Sequence, residues 1–292
     1  MNPETGIHDL RPLDVDALRG ALVEGPGAPY SALEVVEEIG STNAEMIRLA
    51  GLGAPDRSVL LAEYQAAGRG RLGRSWVAPP RTQVAVSVLL RPGAVSPTLF
   101  GWLPLVTGLA VRDGLAAAGG VDVTLKWPND VLVDGRKLAG ILAEMTTVPG
   151  GGDFDIRLPA LVVGMGINVG LTREQLPVPH ATSLALAGGT TDRDAVARAV
   201  LEALARRHAQ WRACDRGSGS SISDELMAEY SAACSTLGAD VRVELPGAQV
   251  RTGRADRVDR DGRLVVVTQD GEFTVAAGDV THIRPAAGRW GG

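Results

Sequence analysis

The sequence predicts an α+β fold: a mixed sheet flanked by helices, followed by a small β-barrel. Three observations predict it. Up to about residue 235, short apolar runs of strand character alternate with amphipathic patterns of helical period. From Gly238 onward the helical period disappears, and alternating runs are separated by Gly, Pro and Asp at hairpin spacing. Polar clusters rich in Gly, Arg, Lys and Asn sit at the ends of the expected strands, where sheets of this kind gather ligands. The expected division is a domain over 1–235, with 1–30 as an N-terminal extension, a barrel over 236–285 and a tail over 286–292.

Composition bounds the function classes. The 292 residues are 45% hydrophobic but only 4% aromatic, so the core must be built from Ala, Val and Leu. A net charge of −5 argues against a dedicated nucleic-acid binder, which would be basic overall, and no nucleic-acid partner is expected. Cys214 and Cys234 have no ligand spacing and read as free thiols of a reducing compartment. The segment Met1-Asn2-Pro3-Glu4 has neither the basic region nor the apolar run of a signal peptide. No uninterrupted apolar window reaches the ~18 residues of a membrane span. A cytoplasmic protein without a membrane partner is expected.

In chain order, residues 13–23 carry Val15, Leu18 and Leu22 on one helical face. Residues 33–36 read as a strand leading into Gly40-Ser41-Thr42-Asn43, where Ser41 or Thr42 caps a helix over 44–50. Residues 58–62 and 84–90 read as buried strands. Residues 99–118 form a long helix with Leu103, Val106, Ala110, Val111 and Leu115 in its stripe, ended by Gly119-Gly120. Strands over 121–125 and 131–133 enclose Lys126-Trp127-Pro128-Asn129-Asp130, and Asp134-Gly135 turns into a return strand over 136–144. After a flexible connection at 150–152, the strand at 160–164 runs into Met165-Gly166-Ile167-Asn168. A helix over 192–214 bears His208 on its apolar face, a packing histidine because no other histidine has a metal-like spacing to it. A Gly/Ser linker at 216–221 leads to a last helix over 222–234. Strands over 241–245, 264–267 and 273–275 follow, with turns at Pro246-Gly247, Arg260-Asp261-Gly262 and Asp270-Gly271.

The densest cluster is 65–76, Q-A-A-G-R-G-R-L-G-R-S-W. Formally it contains G-x-G-x-x-G, but a dinucleotide site needs a helix next. Pro79-Pro80 and a further strand follow instead. It therefore reads as a glycine-arginine loop between strands, whose guanidinium forks suit phosphate oxygens. Three further clusters share the strand ends: 41–43, 126–130 with Lys137, and 164–168. Together they hold hydroxyls, amides, cations and one carboxylate able to bind Mg²⁺, with no nucleophile–base set. That combination points to a nucleotide-using transferase or ligase, in which positioning and charge neutralisation dominate.

The motifs Gly-Ser-Thr-Asn at 40–43, Glu-Tyr-Gln-x-x-Gly-Arg-Gly-Arg-x-Gly-Arg-x-Trp at 63–76, Lys-Trp-Pro-Asn-Asp at 126–130, Arg-Lys-Leu-Ala-Gly-Ile-Leu at 136–142 and Gly-x-Gly-Ile-Asn at 164–168 resemble the biotin protein ligases in order and spacing. The resemblance covers roughly 33–284. It implies a class II synthetase-like biotin/lipoate ligase catalytic domain with an SH3-like barrel. It also implies a two-step reaction: biotin and MgATP form biotinyl-5′-AMP, and a lysine of a biotin carboxyl carrier domain of an acyl-CoA carboxylase takes the biotin. By the same resemblance, Ser41, Thr42 and Gln65 would bond the ureido ring, and Asn43 in that motif would orient the turn. Lys137 would stand between the biotin carboxylate and the α-phosphate as a catalytic cation. Arg69, Gly70 and Arg71 would close over biotin and, with Arg74, over the phosphates, Arg71 acting in catalysis. Lys126, Asn129 and Asp130 would meet the triphosphate, Asp130 with Mg²⁺. Asn168 would read adenine, and Trp76 would serve as a lid or as a core tryptophan. Many family members carry arginine where this chain has Leu72. Some bacterial relatives add an N-terminal helix-turn-helix and repress biotin synthesis. About forty residues before Ser41 are too few for that domain, so the monofunctional type is expected. The competing readings are a biotin-sensing DNA-binding repressor and a lipoate or octanoyl ligase of the same fold.

Overall fold

The computed structural model describes residues 11–118, 120–149, 157–214, 221–245, 249–276 and 279–282. The helix stop at Gly119, the connection at 150–152, most of the 216–221 linker, the Pro246-Gly247 turn and the tail lie outside the described residues.

The first part is a seven-stranded sheet of β1 (Ala32–Ile39), β2 (Ser58–Gln65), β3 (Gln83–Leu90), β4 (Thr124–Lys126), β5 (Asp130–Val133), β6 (Arg136–Pro149) and β7 (Arg157–Asn168), in the order β1-β2-β3-β7-β6-β5-β4. Only β1 and β2 are parallel, joined through α2 (Thr42–Gly51); the other neighbours are antiparallel. The sheet is therefore mixed and flanked by helices, as expected.

Strand alternation assigns its two faces. Val84, Val86 and Val88 of β3, Val163, Met165 and Ile167 of β7, and Ile141 of β6 enter one core with α3 (Leu103–Ala117) and α4 (Arg193–Ala213). Leu60, Leu89, Val148, Ala160 and Val162 face the other way, against Met46 and Ala50 of α2. Beyond α2 this second face loses its bulky side chains. Register places Ala85 opposite Gly166 and Gly166 opposite Gly140, with Ser87 opposite Gly164 in the next row and Gln83 opposite Asn168 at the end. A floor almost free of side chains results, and the polar clusters surround it.

Two expected elements are corrected. The helix over 99–118 is a 3₁₀ segment, Pro97–Trp102, followed by α3. Pro104 has no N–H to donate to the carbonyl four residues earlier, so one α-helix cannot run through it. The strand over 121–125 pairs only from Thr124, opposite Leu132 of β5, and extends to Lys126. At the N-terminus, α1 (Val15–Arg19) runs on as a π-helical turn, Gly20–Glu24. Glu63 fastens this segment to the body. Its Oε1 accepts from Leu13 N at 2.6 Å and its Oε2 from Arg193 NH1 at 2.7 Å, so both members of a buried ion pair are hydrogen-bonded.

After α5 (Asp224–Ala233) come β8 (Asp240–Leu245), β9 (Gln249–Val258), β10 (Leu264–Thr268), β11 (Gly271–Val275) and β12 (Asp279–His282), an antiparallel sheet ordered β11-β10-β9-β8-β12. Its inner residues Val241, Val243, Ala255, Val258, Leu264, Val266, Val275 and Val280 join the main core. Strands β9 and β12 were not individually legible. Among the described side chains of β9, Ala255 and Val258 are the buried ones, three positions apart, because the register with β10 shifts between Val265 and Val266. Tryptophans clamp the two parts together: Trp102 Nε1 donates to Arg260 O at 2.9 Å and Trp127 Nε1 to Gly262 O at 3.0 Å.

Candidate active site

The Ser-Thr-Asn turn sits where β1 hands over to α2. Ser41 is extended and caps α2, its Oγ accepting from Ala44 N at 3.4 Å. Thr42 donates to Gln65 Oε1 twice, from its N at 2.9 Å and its Oγ1 at 3.0 Å. Ser87 Oγ donates to Thr42 Oγ1 or to Asn43 Oδ1, at 2.8 and 2.6 Å. Asn43 Nδ2 donates to Leu142 O at 3.0 Å and Glu144 Oε2 at 2.8 Å. Asn43 thus spends its amide on the sheet, whereas Gln65 Nε2 has no hydrogen-bond partner among the described residues. Asn43 Oδ1 rests on Gly164, where a Cβ would approach it to 2.2 Å.

The arginine stretch is a small closed hairpin. Gly70 N donates to Arg74 O at 2.7 Å, Trp76 N to Gly68 O at 2.8 Å, and Arg69 pairs with Ser75. Its tip is turned by Leu72 and Gly73, both in the left-handed region at φ 56° and 73°. Leu72 is 67% exposed. Arg71 NH1 donates to Asn129 Oδ1 at 3.2 Å, and Arg69 stands 3.9 Å from Glu144. Arg74 is exposed at the hairpin's return.

From the hairpin's end Trp76 lies back across the floor. Its indole covers Gly166 and Gly140, where added Cβ atoms would come within 2.4 and 2.9 Å of the ring. Trp76 Nε1 donates to Gln83 Oε1 at 2.6 Å, and Lys137 Nζ stands 5.5 Å from the ring centroid. Trp76 therefore packs flat on the glycine floor, partly exposed, and lies outside the hydrophobic core.

The cationic end is built by the β4–β5 turn and the start of β6. Asn129 Nδ2 donates to Ile141 O at 3.0 Å, holding the turn against β6. Lys137 Nζ stands 2.5 Å from Asp130 Oδ1 as an ion pair, outside hydrogen-bond geometry. Lys126, half-buried, ends β4 opposite Asp130. Asn168 is buried and donates its Nδ2 to Thr182 O at 2.9 Å. Behind this end, Trp127 N donates to Thr236 Oγ1 at 3.0 Å, and His282 Nε2 lies 3.1 Å from the same hydroxyl. Burial, and secondarily Lys126, holds the His282 imidazole below its usual pKa.

These contacts thus bring Ser41, Thr42, Asn43 and Gln65 together at one end of the floor and Arg71, Asn129, Asp130 and Lys137 at the other, with Trp76 between them. Reading along the chain missed Ser87, Gln83, Glu144 and Thr236, which bond to the motif residues. Ser87 and Gln83 carried one usable signal: polar residues at alternate positions of an otherwise apolar strand.

Residues 37–167 match the Biotin/lipoate A/B protein ligase family, and residues 236–282 match the Biotin protein ligase C terminal domain. The chain is 42% identical to a biotin–[acetyl-CoA-carboxylase] ligase of Mycobacterium tuberculosis, over 94% of this chain and 97% of that one. It is 30% identical to the bifunctional ligase/repressor BirA of Bacillus spizizenii, over 83% of this chain and 71% of that one. Among solved structures, the biotin protein ligase of Aquifex aeolicus in complex with biotin and ATP superposes with a TM-score of 0.68 at 27% identity, covering 88% of this chain and 100% of that one. Likeness that runs through both parts of the chain, and through nearly the full length of a relative, makes this chain a member of the biotin protein ligase family.

Proposed function

We propose that this chain is a biotin–[biotin carboxyl-carrier protein] ligase, which activates biotin with ATP and passes it to a carrier lysine. In the first step a biotin carboxylate oxygen attacks the α-phosphorus, and pyrophosphate leaves. In the second the lysine amine attacks the acyl carbon of biotinyl-5′-AMP, and AMP leaves. The observation that carries the reading is the polarity around the Trp76 indole and the glycine floor it packs on: Ser41, Thr42 and Gln65 at one end, Arg71 and Lys137 at the other. A ligand with a neutral polar ring, an apolar middle and an anionic end fits that polarity.

Thr42, Ser41 and the open Nε2 of Gln65 would bond the ureido ring, since a buried polar ring needs matched donors and acceptors. Asn43 would act through the sheet, holding the turn in place. Lys137 would lower the repulsion between the carboxylate and the α-phosphate, then stabilise the charge of the transition state. Arg69, Arg71 and Arg74, with the Gly70 backbone, would fold over the anhydride and keep water out. Lys126 and Asn129 would meet the triphosphate, and Asn168 the adenine, with Trp76 as the lid. Asp130 fits Mg²⁺ as its one protein carboxylate, because that ion commonly keeps waters and substrate phosphates as its other ligands. Among the described residues no group of three or more His, Cys, Asp and Glu is placed to hold a metal alone. The ion would supply neutralisation of the leaving pyrophosphate.

The proposed division is a catalytic domain over 1–235 and an SH3-like domain over 236–285, and the proposed location is the cytoplasm. Among the described residues no helix is long and apolar enough to cross a membrane. Incubation with ATP, Mg²⁺, biotin and a biotin carrier domain tests the reading by mass spectrometry: the carrier gains one biotinyl group. An unmodified carrier would sink it, and modification only with lipoate in place of biotin would transfer the chain to the lipoyl branch. A gel shift with biotin-dependent, sequence-specific DNA binding would favour the repressor reading.

A further inference from the structure

We infer that Gln83 reads the nucleotide base: its Nε2 and the neighbouring Asn168 Oδ1 form a donor–acceptor pair for the edge of adenine that carries its amine and an adjacent ring nitrogen. The inference rests on the ATP-dependent ligase reading and deepens it by one specificity-determining residue.

Geometry places the two amides side by side. Gln83 and Asn168 are opposite each other on β3 and β7, and opposed residues on one face of an antiparallel pair have Cβ atoms roughly 5 Å apart. Both belong to the floor face. Gln83 alternates with Ala85 and Ser87, and its Oε1 meets Trp76 above the floor. Asn168 alternates with Gly166 and Gly164, whose missing Cβ atoms make room for Trp76 and Asn43.

Chemistry fixes which way each amide points. An indole N–H only donates, so the Gln83 atom 2.6 Å from Trp76 Nε1 is the oxygen. A peptide carbonyl only accepts, so the Asn168 atom 2.9 Å from Thr182 O is the nitrogen. Gln83 is left with a donor and Asn168 with an acceptor. Gln83 Nε2 is sealed from solvent and has no hydrogen-bond partner, one of few such buried side-chain atoms among the described residues. An unpaired buried donor is costly, so native structures seldom keep one without a reason. The backbone beneath it is anchored as well: Gln83 O accepts from Arg193 NH1 at 3.4 Å, and that guanidinium is held by Glu63.

Adenine offers an amine donor beside a ring-nitrogen acceptor, which complements an acceptor–donor pair. Guanine puts a carbonyl acceptor in the place of the amine and faces Asn168 Oδ1 with a second acceptor. The pair thus selects ATP over GTP. Trp76, tied to the same glutamine, couples closure of the lid to recognition of the base.

Biotin-dependent pyrophosphate release by the full chain tests this with ATP, 1-deaza-ATP, 7-deaza-ATP and GTP. Wild type is expected to lose about tenfold in kcat/KM with whichever deaza analogue lacks the recognised nitrogen, the value of one hydrogen bond. Gln83→Glu keeps an acceptor for Trp76 but removes the donor. It should raise KM for ATP about tenfold, leave KM for biotin unchanged, and no longer distinguish ATP from that analogue. Gln83→Leu should lose the same discrimination. A variant that discriminates like wild type would overturn the inference. So would a loss falling equally on biotin and ATP, which would mark Gln83 as support for Trp76 alone. Should neither variant fold, wild type still decides, because equal use of ATP and both deaza analogues excludes a bond to either nitrogen. Wild type inactive with biotin and ATP would remove the ligase reading and this inference together. An active wild type indifferent to the ring nitrogens removes the inference alone.

Discussion

Gly166→Ala is expected to unseat Trp76 from the floor while leaving the polar end intact. A Cβ at 166 would stand 2.4 Å from Trp76 Nε1 and 2.5 Å from Cε2, distances no real methyl group tolerates, so the indole must lift. Lifting breaks the bond from Trp76 Nε1 to Gln83, worth about 1 kcal/mol net. It also breaks the approach of Lys137 Nζ to the ring, worth ~0.5–1 kcal/mol. The total of about 2 kcal/mol corresponds to roughly a 30-fold loss in kcat/KM for ATP. KM for biotin should stay within about threefold, because Thr42, Ser87 and Gln65 bond to one another and not to Gly166. Pyrophosphate release at varied ATP and at varied biotin measures both. Gly140→Ala is the graded control. Its Cβ would meet Trp76 Cζ3 at 2.9 Å and the end of Lys137 at 3.3 Å, atoms that can shift, so the loss should be under about tenfold. Wild-type kcat/KM for ATP in Gly166→Ala would show that the seated tryptophan contributes nothing to turnover. Equal loss on both substrates would show that the two ends are not separable.

Four further outcomes follow from the same geometry. Lys137→Ala should reduce adenylate formation at least ~100-fold, the usual effect of removing a group that stabilises transition-state charge, while the melting temperature moves little; undiminished pyrophosphate release would refute its role. Arg71→Gly removes the link to Asn129 that closes the hairpin over the groove; biotinyl-AMP should escape and label unrelated lysines, and a variant as selective as wild type would contradict closure. Burial holds His208 down to about 4 from 6.5, so the folded chain favours neutral imidazole. That preference stabilises the fold fully above pH 6.5 and is lost as pH falls towards 4, by about 3 kcal/mol in total; denaturant titrations at pH 7 and 4.5 should show a smaller drop in His208→Phe, and equal drops would discount the histidine. Thr236→Val strips the acceptor from Trp127 N and the partner from His282; KM for ATP should rise about three- to tenfold with KM for biotin unchanged, and a change in neither would show that Thr236 does not bear on ATP binding.

Much of the site was legible because its chemistry is local. A cap needs a hydroxyl at a strand-to-helix junction, and Ser41 supplies it. A tight hairpin between two strands needs residues tolerating positive φ, and Asp134-Gly135 supplies them at φ 49° and 71°. Glycines among the arginines mark a loop between strands, and Gly73 turns its tip at φ 73°. The helix break at Leu103 was also present in the chain, in Pro104, though the apolar stripe running past it masked the break.

Partnerships across the sheet could not be read along the chain. The chain order suggests that Asn43 orients its turn, but not that it does so through Leu142, Glu144 and Ser87 on other strands. Trp76 packs on Gly140 and Gly166, two glycines of other strands that its own neighbours in the chain do not indicate. Gln83 drew no attention beside the arginines, yet it holds the indole and keeps an unpaired donor. Each of these outcomes depends on strand register, which brings β3, β6 and β7 together from positions up to about eighty residues apart. Residue type and near-neighbour spacing set capping, turn chemistry and strand alternation, since those involve atoms a few bonds apart. The pairing of an amide on one strand with a bare glycine on another is set by the packing of the whole sheet, to which every strand contributes.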